Sequence, residues 1–295
     1  MRLEEWIRNG PVLADGAWGT ELQRRGLEPG ACPDQWNLIR SEAVAEVARS
    51  YVKAGSRVIL TNTFRANAIA LTGYGLGAEA AAMNRAGAAI SREAAAGHVL
   101  VAGSIGPTGK MLLLGETTEQ EALRAFAQQA QALAEGGVDA LLVETMSDLA
   151  EAKLALAAAR QTGLPVIVSF VFDSGKEKDR TMMGVTPEQA AREIVEAGAD
   201  AVGANCGLGI AGYVPICRRL RQATPLPVWI KPNAGLPELV GGELVYRTTP
   251  AEFAAFVPAL VEAGATFIGG CCGTTPDFIR AASQALAAIS SKAGA

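Results

Sequence analysis

The sequence has a single histidine, His98, among its 295 residues. Zinc sites built from three histidines, or from two histidines and a glutamate, are therefore excluded by count. A serine–histidine–aspartate or cysteine–histidine catalytic group would have to use His98. That residue begins a predicted strand, at the opposite end of the strands from the other polar motifs. We therefore interpret it as a structural residue.

Long apolar runs and a strong excess of one charge are also missing. Stretches such as Ala140-Leu141-Leu142-Val143 are too short to span a bilayer. The opening Met1-Arg2-Leu3-Glu4-Glu5 is charged and amphipathic, unlike a signal peptide. A net charge of −4 gives no basis for binding nucleic acid or an anionic membrane. We predict a cytoplasmic protein with neither partner.

Cysteine is scarce, and its five copies are unevenly spaced. An odd number in a chain of this length does not indicate a disulfide framework, so reduced thiols are expected. Apolar residues make up 49% of the chain and charged residues 19%, which is enough apolar material for a large core.

Short β-rich runs alternate with longer helical patterns along the whole chain. Each run is nearly continuous in apolar residues, which is typical of parallel strands buried on both faces. The eight runs are Pro11–Ala17, Arg57–Phe64, His98–Gly106, Ala140–Met146, Pro165–Phe172, Ala201–Cys206, Pro227–Ala234 and Phe267–Cys272. Eight strand–helix units predict an α/β fold, a (β/α)8 TIM barrel, as a single domain over residues 1–295.

A doubly wound open sheet is the alternative, since alternation alone does not prove closure. Its nucleotide-binding version has no support, because no Gly-x-Gly-x-x-Gly opens a helix after the first strand. Helix signals fit either fold: Thr118-x-x-Glu121 predicts a capping box, and Thr186-Pro187 and Thr249-Pro250 predict proline at the first helical position. Predicted helices include Ser41–Ala54, Thr118–Glu135, Asp148–Gln161 and Thr186–Ala197.

Polar motifs collect at the carboxyl ends of the predicted strands. Asp15-Gly16-Ala17 follows the first strand, and Glu144, Cys206 and Asn233 end the fourth, sixth and seventh. Cys271-Cys272 ends the eighth. Barrel enzymes keep their chemistry on this face, so we expect these residues to form one site.

Three of the cysteines indicate a metal site. Gly269-Gly270-Cys271-Cys272-Gly273 presents two soft ligands on a flexible backbone, and Asn205-Cys206-Gly207 presents a third. Three thiolates leave one position of a tetrahedral zinc ion open, as in catalytic sites. The alternative is that all three are small buried hydrophobes, but their glycine context and strand-end positions argue against it. Cys32 and Cys217 lack such a context, and we interpret them as incidental.

Other residues on this face keep two interpretations each. The turn Asp15–Thr20 exposes backbone N–H groups that can hold a carboxylate, or it is an ordinary loop. Glu144 can pair with a substrate ammonium group or bond to neighbouring loops. The Pro107–Thr117 loop carries Met111-Leu112-Leu113-Leu114, which is either a contact surface or folds onto the core. Lys231 is expected to support the end of the seventh strand.

With these motifs in hand, the chain closely resembles the homocysteine S-methyltransferase family over nearly its whole length. Within that family it looks most like the homocysteine-binding barrel of cobalamin-dependent methionine synthases. The Gly-Gly-Cys-Cys-Gly element together with the distant Asn-Cys is highly specific. The resemblance also rests on Asp15–Thr20, Thr61–Phe64, Ile105–Gly109, Glu144-Thr145 and Pro232–Gly235.

The resemblance implies a role for each matching residue. Cys206, Cys271 and Cys272 would bind zinc, and homocysteine would supply the fourth ligand as its thiolate. The turn residues Asp15, Ala17, Trp18, Gly19 and Thr20, together with Glu144, would bind the amino and carboxylate ends of the substrate. Asn233 would lie near the metal and could donate an oxygen when substrate is absent. No catalytic residue is expected beyond the zinc site.

The resemblance leaves the methyl donor open. Methylcobalamin on a separate corrinoid-carrying domain or protein is favoured, and S-methylmethionine or betaine is the alternative. A non-catalytic zinc- or thiol-binding barrel is a further interpretation. An unrelated barrel lyase or hydrolase is disfavoured, because the site lacks histidine and has no lysine aligned for a Schiff base apart from Lys231.

Overall fold

The computed structural model describes residues 3–241 and 243–293. Eight parallel strands follow one another in the sheet order β1-β10-β7-β6-β5-β4-β3-β2. They are β1 (Val12–Leu13), β2 (Val58–Leu60), β3 (Leu100–Ile105), β4 (Ala140–Met146), β5 (Val166–Phe170), β6 (Ala201–Gly209), β7 (Val228–Asn233) and β10 (Phe267–Ile268). The Arg57 amide donates to the Leu13 carbonyl at 2.8 Å, which joins the two ends of the sheet. The predicted barrel is therefore confirmed, and the open sheet is wrong.

Helices pack on the barrel, the first at its amino-terminal end and the others around its outer side. They are α1 (Leu3–Ile7), α2 (Gly19–Gln23), α3 (Trp36–Ile39), α4 (Ser41–Ala54), α5 (Ala68–Thr72), α6 (Ala80–Ala95), α7 (Glu119–Glu135), α8 (Leu149–Arg160), α9 (Pro187–Glu196), α10 (Ile210–Ala223), α11 (Pro250–Ala255), α12 (Val257–Glu262) and α13 (Pro276–Ala293). The four helices predicted above are confirmed to within one residue at each end. No helix in the described part of the chain is long and apolar enough to cross a membrane.

Side-chain caps explain where several of these helices begin. Thr118 and Thr249 each form a complete capping box, with Glu121 and Glu252 respectively. The Thr186 hydroxyl accepts a hydrogen bond from the Gln189 amide, with proline next in the chain. Each cap satisfies amide groups that the first helical turn cannot, so these helix starts were readable from the sequence.

Alternate strand residues pack into two separate layers. In β4, Leu141 and Val143 face the helices, whereas Ala140 and Leu142 belong to an interior cluster. That cluster fills the barrel with side chains from all eight strands, among them Val12, Val58, Ala102, Ile167, Ala201, Trp229 and Phe267. Because side chains alternate between these two layers along each strand, the last inward-facing residue of a strand lies at the carboxyl end of the barrel.

The amino-terminal end of the barrel is closed by α1. Leu3 and Trp6 are each 4% exposed and pack in the interior cluster. The Trp6 ring meets Phe267 edge to face, with a centroid distance of 6.3 Å. His98 lies in the turn before β3 at this same end, where the sequence placed it.

Some strands are shorter than the predicted runs, since Pro11–Ala17 and Arg57–Phe64 contain only the strands Val12–Leu13 and Val58–Leu60. Two further differences bear on the site. The eighth barrel strand ends at Ile268, so Cys271 and Cys272 lie in the turn that follows and not in the strand. Beyond Ile268 the backbone still donates to the neighbouring strand, from Gly269 to the Ile230 carbonyl at 3.0 Å and from Cys271 to the Pro232 carbonyl at 2.7 Å, before it turns. A two-stranded hairpin, β8 (Pro237–Val240) with β9 (Glu243–Tyr246), was not predicted and follows β7.

Candidate metal centre

The sulfur atoms of Cys206, Cys271 and Cys272 all lie within 4.8 Å of one another. The Sγ atoms of Cys206 and Cys272 are 3.9 Å apart. Ligand sulfurs about 2.3 Å from a tetrahedral zinc ion are separated by about 3.8 Å, so the spacing fits such an ion. The prediction that these three distant cysteines meet is confirmed.

A β-bulge turns Cys206 toward the other two cysteines. The pairing of β6 with β7 shifts register between Cys206 and Gly209. Cys206 has a φ of 64° and Gly207 a φ of 58°. A non-glycine residue in this left-handed region costs about 1–3 kcal/mol, and such strain persists where the surroundings enforce it. Here it redirects the side chain at the end of the strand.

Glycines allow the Cys271-Cys272 turn to form. A Cβ on Gly270 would lie 2.3 Å from the Thr274 hydroxyl oxygen. That hydroxyl donates to the Cys271 carbonyl at 2.7 Å and closes the turn. The Cys271 amide donates to the Pro232 carbonyl at 2.7 Å, which fastens the turn to β7.

Mutual contact and burial raise the pKa values of all three thiols. A hydrogen bond with Cys271 lowers the pKa of Cys206, but contact with Cys272 and burial outweigh it and raise the pKa to about 12. The pKa of Cys272 is also raised to about 12: a hydrogen bond with Cys206 lowers it, and contact with Cys271 and burial prevail. A dication would remove this penalty, since the thiolate is the ligand form.

Asn233 supplies an unpaired oxygen beside the cysteines. Its amide nitrogen donates to the Gly207 carbonyl at 3.2 Å. Its Oδ1 is buried and has no hydrogen-bond partner among the described residues. A buried acceptor without a partner loses its hydration, so this oxygen is available to a ligand or metal.

The first turn is tied to the cysteine turn through its backbone. The Gly270 amide donates to the Asp15 carbonyl at 2.9 Å, and the Ala17 amide donates to the Thr274 carbonyl at 3.2 Å. The Tyr51 hydroxyl donates to the Ala17 carbonyl at 2.6 Å. The two turns therefore form one unit on the carboxyl face of the barrel.

The Asp15 carboxylate is occupied by partners within the protein. It accepts hydrogen bonds from the Trp18 indole at 2.8 Å and the Leu60 amide at 2.7 Å. It also forms a buried ion pair with the Lys231 ammonium group. Direct contact of Asp15 with substrate stays a prediction. The N–H groups of Gly19 and Thr20, which begin α2, have no intrahelical acceptor and remain suited to a carboxylate.

Glu144 occupies the last inward position of β4 and is 6% exposed. Its carboxylate accepts a hydrogen bond from the Ser104 hydroxyl. Burial raises the pKa of Glu144, while nearby Lys231 and the Ser104 hydrogen bond lower it in part. Glu144 is therefore a buried carboxyl group close to the Asp15–Lys231 ion pair, and an added cation beside it would stabilise its charged form.

Sequence reasoning did not place several polar residues in this layer, although Asn205 belonged to the cysteine motif and Lys231 was expected to support the end of β7. Ser104, Ser169 and Asn205 are buried, and Lys231 is 2% exposed. The alternation of inward- and outward-facing residues indicates these positions, because each stands two residues after an inward-facing residue of its strand. Extending that alternation past the last apolar residue would have found them.

The remaining sequence interpretations concern residues around the site. Cys32 and Cys217 are buried and do not join the cysteine cluster. Met111, Leu113 and Leu114, in the loop after β3, are exposed, Leu113 by 76%. Of that segment Leu112 packs against the core. The loop is therefore mainly an exposed apolar surface.

The sequence comparisons identify one family. Residues 12–286 match the sequence profile of the homocysteine S-methyltransferase family. Methionine synthase of Mycobacterium leprae is 33% identical over 304 residues, covering 97% of this chain and 25% of that protein. Methionine synthase of Mycobacterium tuberculosis is 34% identical over 300 residues, covering 94% and 25%. The chain thus spans about a quarter of the length of these curated relatives.

Solved structures show the same fold. The homocysteine methyltransferase MmuM from Escherichia coli, in its metallated form, superposes with a TM-score of 0.80 at 24% identity. The match covers 96% of this chain and 99% of that protein. Its apo form gives a TM-score of 0.72.

Proposed function

Because the chain belongs to the homocysteine S-methyltransferase family, we propose that it transfers a methyl group to the thiol of homocysteine and forms methionine. The observation that carries this proposal is the cluster of Cys206, Cys271 and Cys272 near the buried carboxyl group of Glu144. A thiol substrate with an ammonium group matches both parts of that arrangement.

The proposed metal is zinc, held by the three cysteines. Three thiolates suit a soft ion and leave one tetrahedral position for the substrate sulfur. Zinc bound there would keep the homocysteine thiol deprotonated near neutral pH. Asn233 Oδ1 would face the metal when homocysteine is absent. MmuM, which has this fold, is described in a metallated form.

The remaining residues bind and orient the substrate. Glu144 would accept the ammonium group, and its buried position strengthens that contact. The first turn, Asp15–Thr20, would hold the carboxylate through the backbone N–H groups of Gly19 and Thr20, since the Ala17 amide already donates to the Thr274 carbonyl. Fixing both ends of the substrate aims its sulfur at the donor.

The chemical step needs no protein acid or base. The substrate sulfur attacks the methyl carbon in line, a sulfur–carbon bond forms, and the bond from the methyl carbon to the donor breaks. No proton moves at the methyl carbon, so the chain contributes position and exclusion of water. We name no catalytic side chain beyond the metal site for that reason.

The favoured donor is methylcobalamin carried by another domain or protein. Loops on the carboxyl face expose an apolar rim, which we define as Met111, Leu113, Leu114, Met182, Leu236 and Leu239. Exposed apolar residues on the loops of one barrel face suit a macromolecular partner. The methionine synthases to which the chain is similar are about four times its length.

A small donor such as S-methylmethionine or betaine is the second candidate. A cavity of about 550 Å³ lies between the segment after Cys206 and the base of the hairpin. Its lining includes Leu208, Leu236 and Phe256 together with Arg247 and Glu252, so it offers apolar surface and both charges.

One experiment tests the function and sorts the donors. Zinc-loaded protein is incubated with homocysteine and, separately, with methylcobalamin, S-methylmethionine or betaine, and methionine is measured. We expect methylcobalamin to give the fastest formation. Preference for another donor would replace the donor assignment, and homocysteine binding with no methionine from any donor would favour a binding module.

A further inference from the structure

We propose that Asn205 is a positioning residue that holds the Glu144 carboxylate where it reads the amino end of the substrate. This inference rests on the proposed function and deepens it, because it concerns how the same site recognises a thiol that carries an ammonium group. The argument starts from the contacts of one fully buried side chain.

Asn205 clamps the segment that follows Glu144. Its Oδ1 accepts a hydrogen bond from the Thr145 amide at 2.9 Å. Its Nδ2 donates to the Thr145 hydroxyl at 2.7 Å and reaches Glu144 Oε2 at 3.5 Å. One amide group thus binds both the backbone and the side chain of the residue next to the carboxylate.

The clamped residue has an unfavourable backbone. Thr145 has a φ of 60°, a conformation that β-branched residues rarely adopt. It lies in a β-bulge, since the pairing of β4 with β5 shifts register between Val143 and Met146. A bulge redirects the neighbouring side chains, so the strained backbone at Thr145 also sets the direction of the Glu144 side chain.

Asn205 is itself fixed from several sides. The Ser169 hydroxyl donates to its Oδ1 at 2.6 Å, and the Tyr213 hydroxyl donates to its carbonyl at 3.0 Å. The next residue is Cys206, whose sulfur belongs to the metal cluster. Through Asn205, the carboxylate of β4 and a sulfur of β6 are held in one rigid arrangement.

This arrangement fixes two groups of the site, Glu144 and the cysteine cluster, relative to each other. The distance between Glu144 and the cysteine cluster must match the distance between the ammonium group and the sulfur of the substrate. Removing the clamp lets Thr145 relax and lets Glu144 move, while the three sulfurs keep their own supports. Loss of the clamp should therefore reduce the selectivity for thiols that carry an amino group and leave metal binding unchanged.

The test compares two thiols that differ in the amino group. Zinc-loaded protein is titrated calorimetrically with homocysteine and with 4-mercaptobutanoate, which has the same thiol and carboxylate without the amine. In Asn205→Ala we expect homocysteine affinity to fall at least about tenfold, as for a misplaced hydrogen bond to a charged group. Affinity for 4-mercaptobutanoate should stay within about twofold, and bound zinc should be unchanged.

A second variant covers the case in which Asn205→Ala does not fold. Thr145→Val removes the hydroxyl that accepts from Asn205 but keeps the shape of the side chain, and the same selective loss is expected at smaller size. Ser91→Ala serves as the matched control, because it removes a fully buried hydroxyl that donates to the Leu60 carbonyl at 3.0 Å on the other side of the barrel. Equal losses for both thiols, or no loss in either variant, would overturn the proposal.

Glu144→Gln separates this inference from the proposed function. If that variant also loses selectivity for homocysteine, the ammonium site stands and the Asn205 variants decide the positioning role alone. Wild-type protein that binds both thiols equally would remove Glu144 from amine recognition and overturn the positioning role, while the separate measurement of methionine formation decides the proposed function.

Discussion

Lys231 and Asp15 form an ion pair inside the barrel, where their side chains are 3% and 0% exposed. The Lys231 ammonium group also lies 5.9 Å from the centre of the Trp229 ring. The pair joins β7 to the first turn directly beneath the proposed substrate pocket. A buried pair of this kind is costly to break, because removing one partner leaves an uncompensated charge.

Lys231→Met should therefore lower the free energy of unfolding by about 3–5 kcal/mol. The double variant Asp15→Asn with Lys231→Met should recover a large part of that loss, since neither charge remains. Urea unfolding measures both. Lys153→Met is the control, because its pair with Glu193 is 43% and 33% exposed and should contribute about 1 kcal/mol or less. Equal losses in Lys231→Met and Lys153→Met would contradict the prediction.

Cys206→Ala and Cys272→Ala should each abolish stoichiometric zinc binding. Two remaining thiolates make a much weaker site than three, and metal content after dialysis measures the loss. Cys217→Ala and Cys32→Ala are the matched controls and should keep about one zinc per chain. Full zinc content in Cys206→Ala would disprove the assigned ligand set.

Asn233→Leu should weaken zinc binding when homocysteine is absent, by about tenfold, since it removes the unpaired oxygen next to the cysteines. With saturating homocysteine the affinity for zinc should change little, because the substrate sulfur would take that position. Competition titrations with a chromophoric chelator, with and without homocysteine, make the comparison. The same loss in both titrations would show that Asn233 has another role.

Asp34 should make stability depend on pH. Burial raises the pKa of Asp34 from 3.8 to about 6, against the lowering effect of the Arg65 amide and charge and of Cys32. The folded state then keeps a proton that the unfolded chain releases near pH 4. The stabilisation is complete below that pH and is lost as the pH rises through 6, in total by about 3 kcal/mol.

Asp34→Asn tests whether the Asp34 carboxyl group lowers the stability as the pH rises. Its amide keeps an acceptor for the Arg65 amide, which donates to Asp34 Oδ1 at 3.0 Å, but does not titrate. Between pH 4 and pH 7 the free energy of unfolding of the variant should therefore improve relative to that of the wild type. Urea unfolding at four pH values measures it, and a constant difference would refute the assignment.

Leu113→Glu should slow methyl transfer from methylcobalamin bound to a carrier protein and leave transfer from free methylcobalamin unchanged. The reason is that Leu113 belongs to the apolar rim and is 76% exposed. Gln161→Glu adds the same charge on the exposed surface at the opposite face, between α8 and β5, and should have no effect. Slower transfer from both donors would place the effect within the site itself.

The barrel and its cysteine cluster were largely predictable because they follow local rules. Continuous apolar runs, capping boxes and glycine-bounded turns each constrain a few neighbouring residues. The cysteines were readable because thiols set among glycines are unusual in a core. Their meeting point then followed from the barrel, which brings the carboxyl ends of all strands together.

The polar layer was not predictable in the same way. Asn205 was recognised in the sequence as part of a motif. Its hydrogen bonds to Thr145, however, depend on two bulges that have no local sequence signal. The pairing of Lys231 with Asp15 spans 216 positions and depends on barrel closure. The hairpin after β7 was missed because a loop insertion need not disturb the strand–helix alternation around it.

Helix α1 packs into the amino-terminal end of the barrel beneath the interior side chains, so the proposed site is reached from the carboxyl face, its mouth. For the proposed reaction this imposes an order of events. Homocysteine has to enter before the donor covers the mouth, and methionine leaves after the donor has withdrawn. The steady-state kinetics should then follow a sequential mechanism with compulsory order, in which excess carrier protein inhibits by trapping the enzyme before the amino acid has entered.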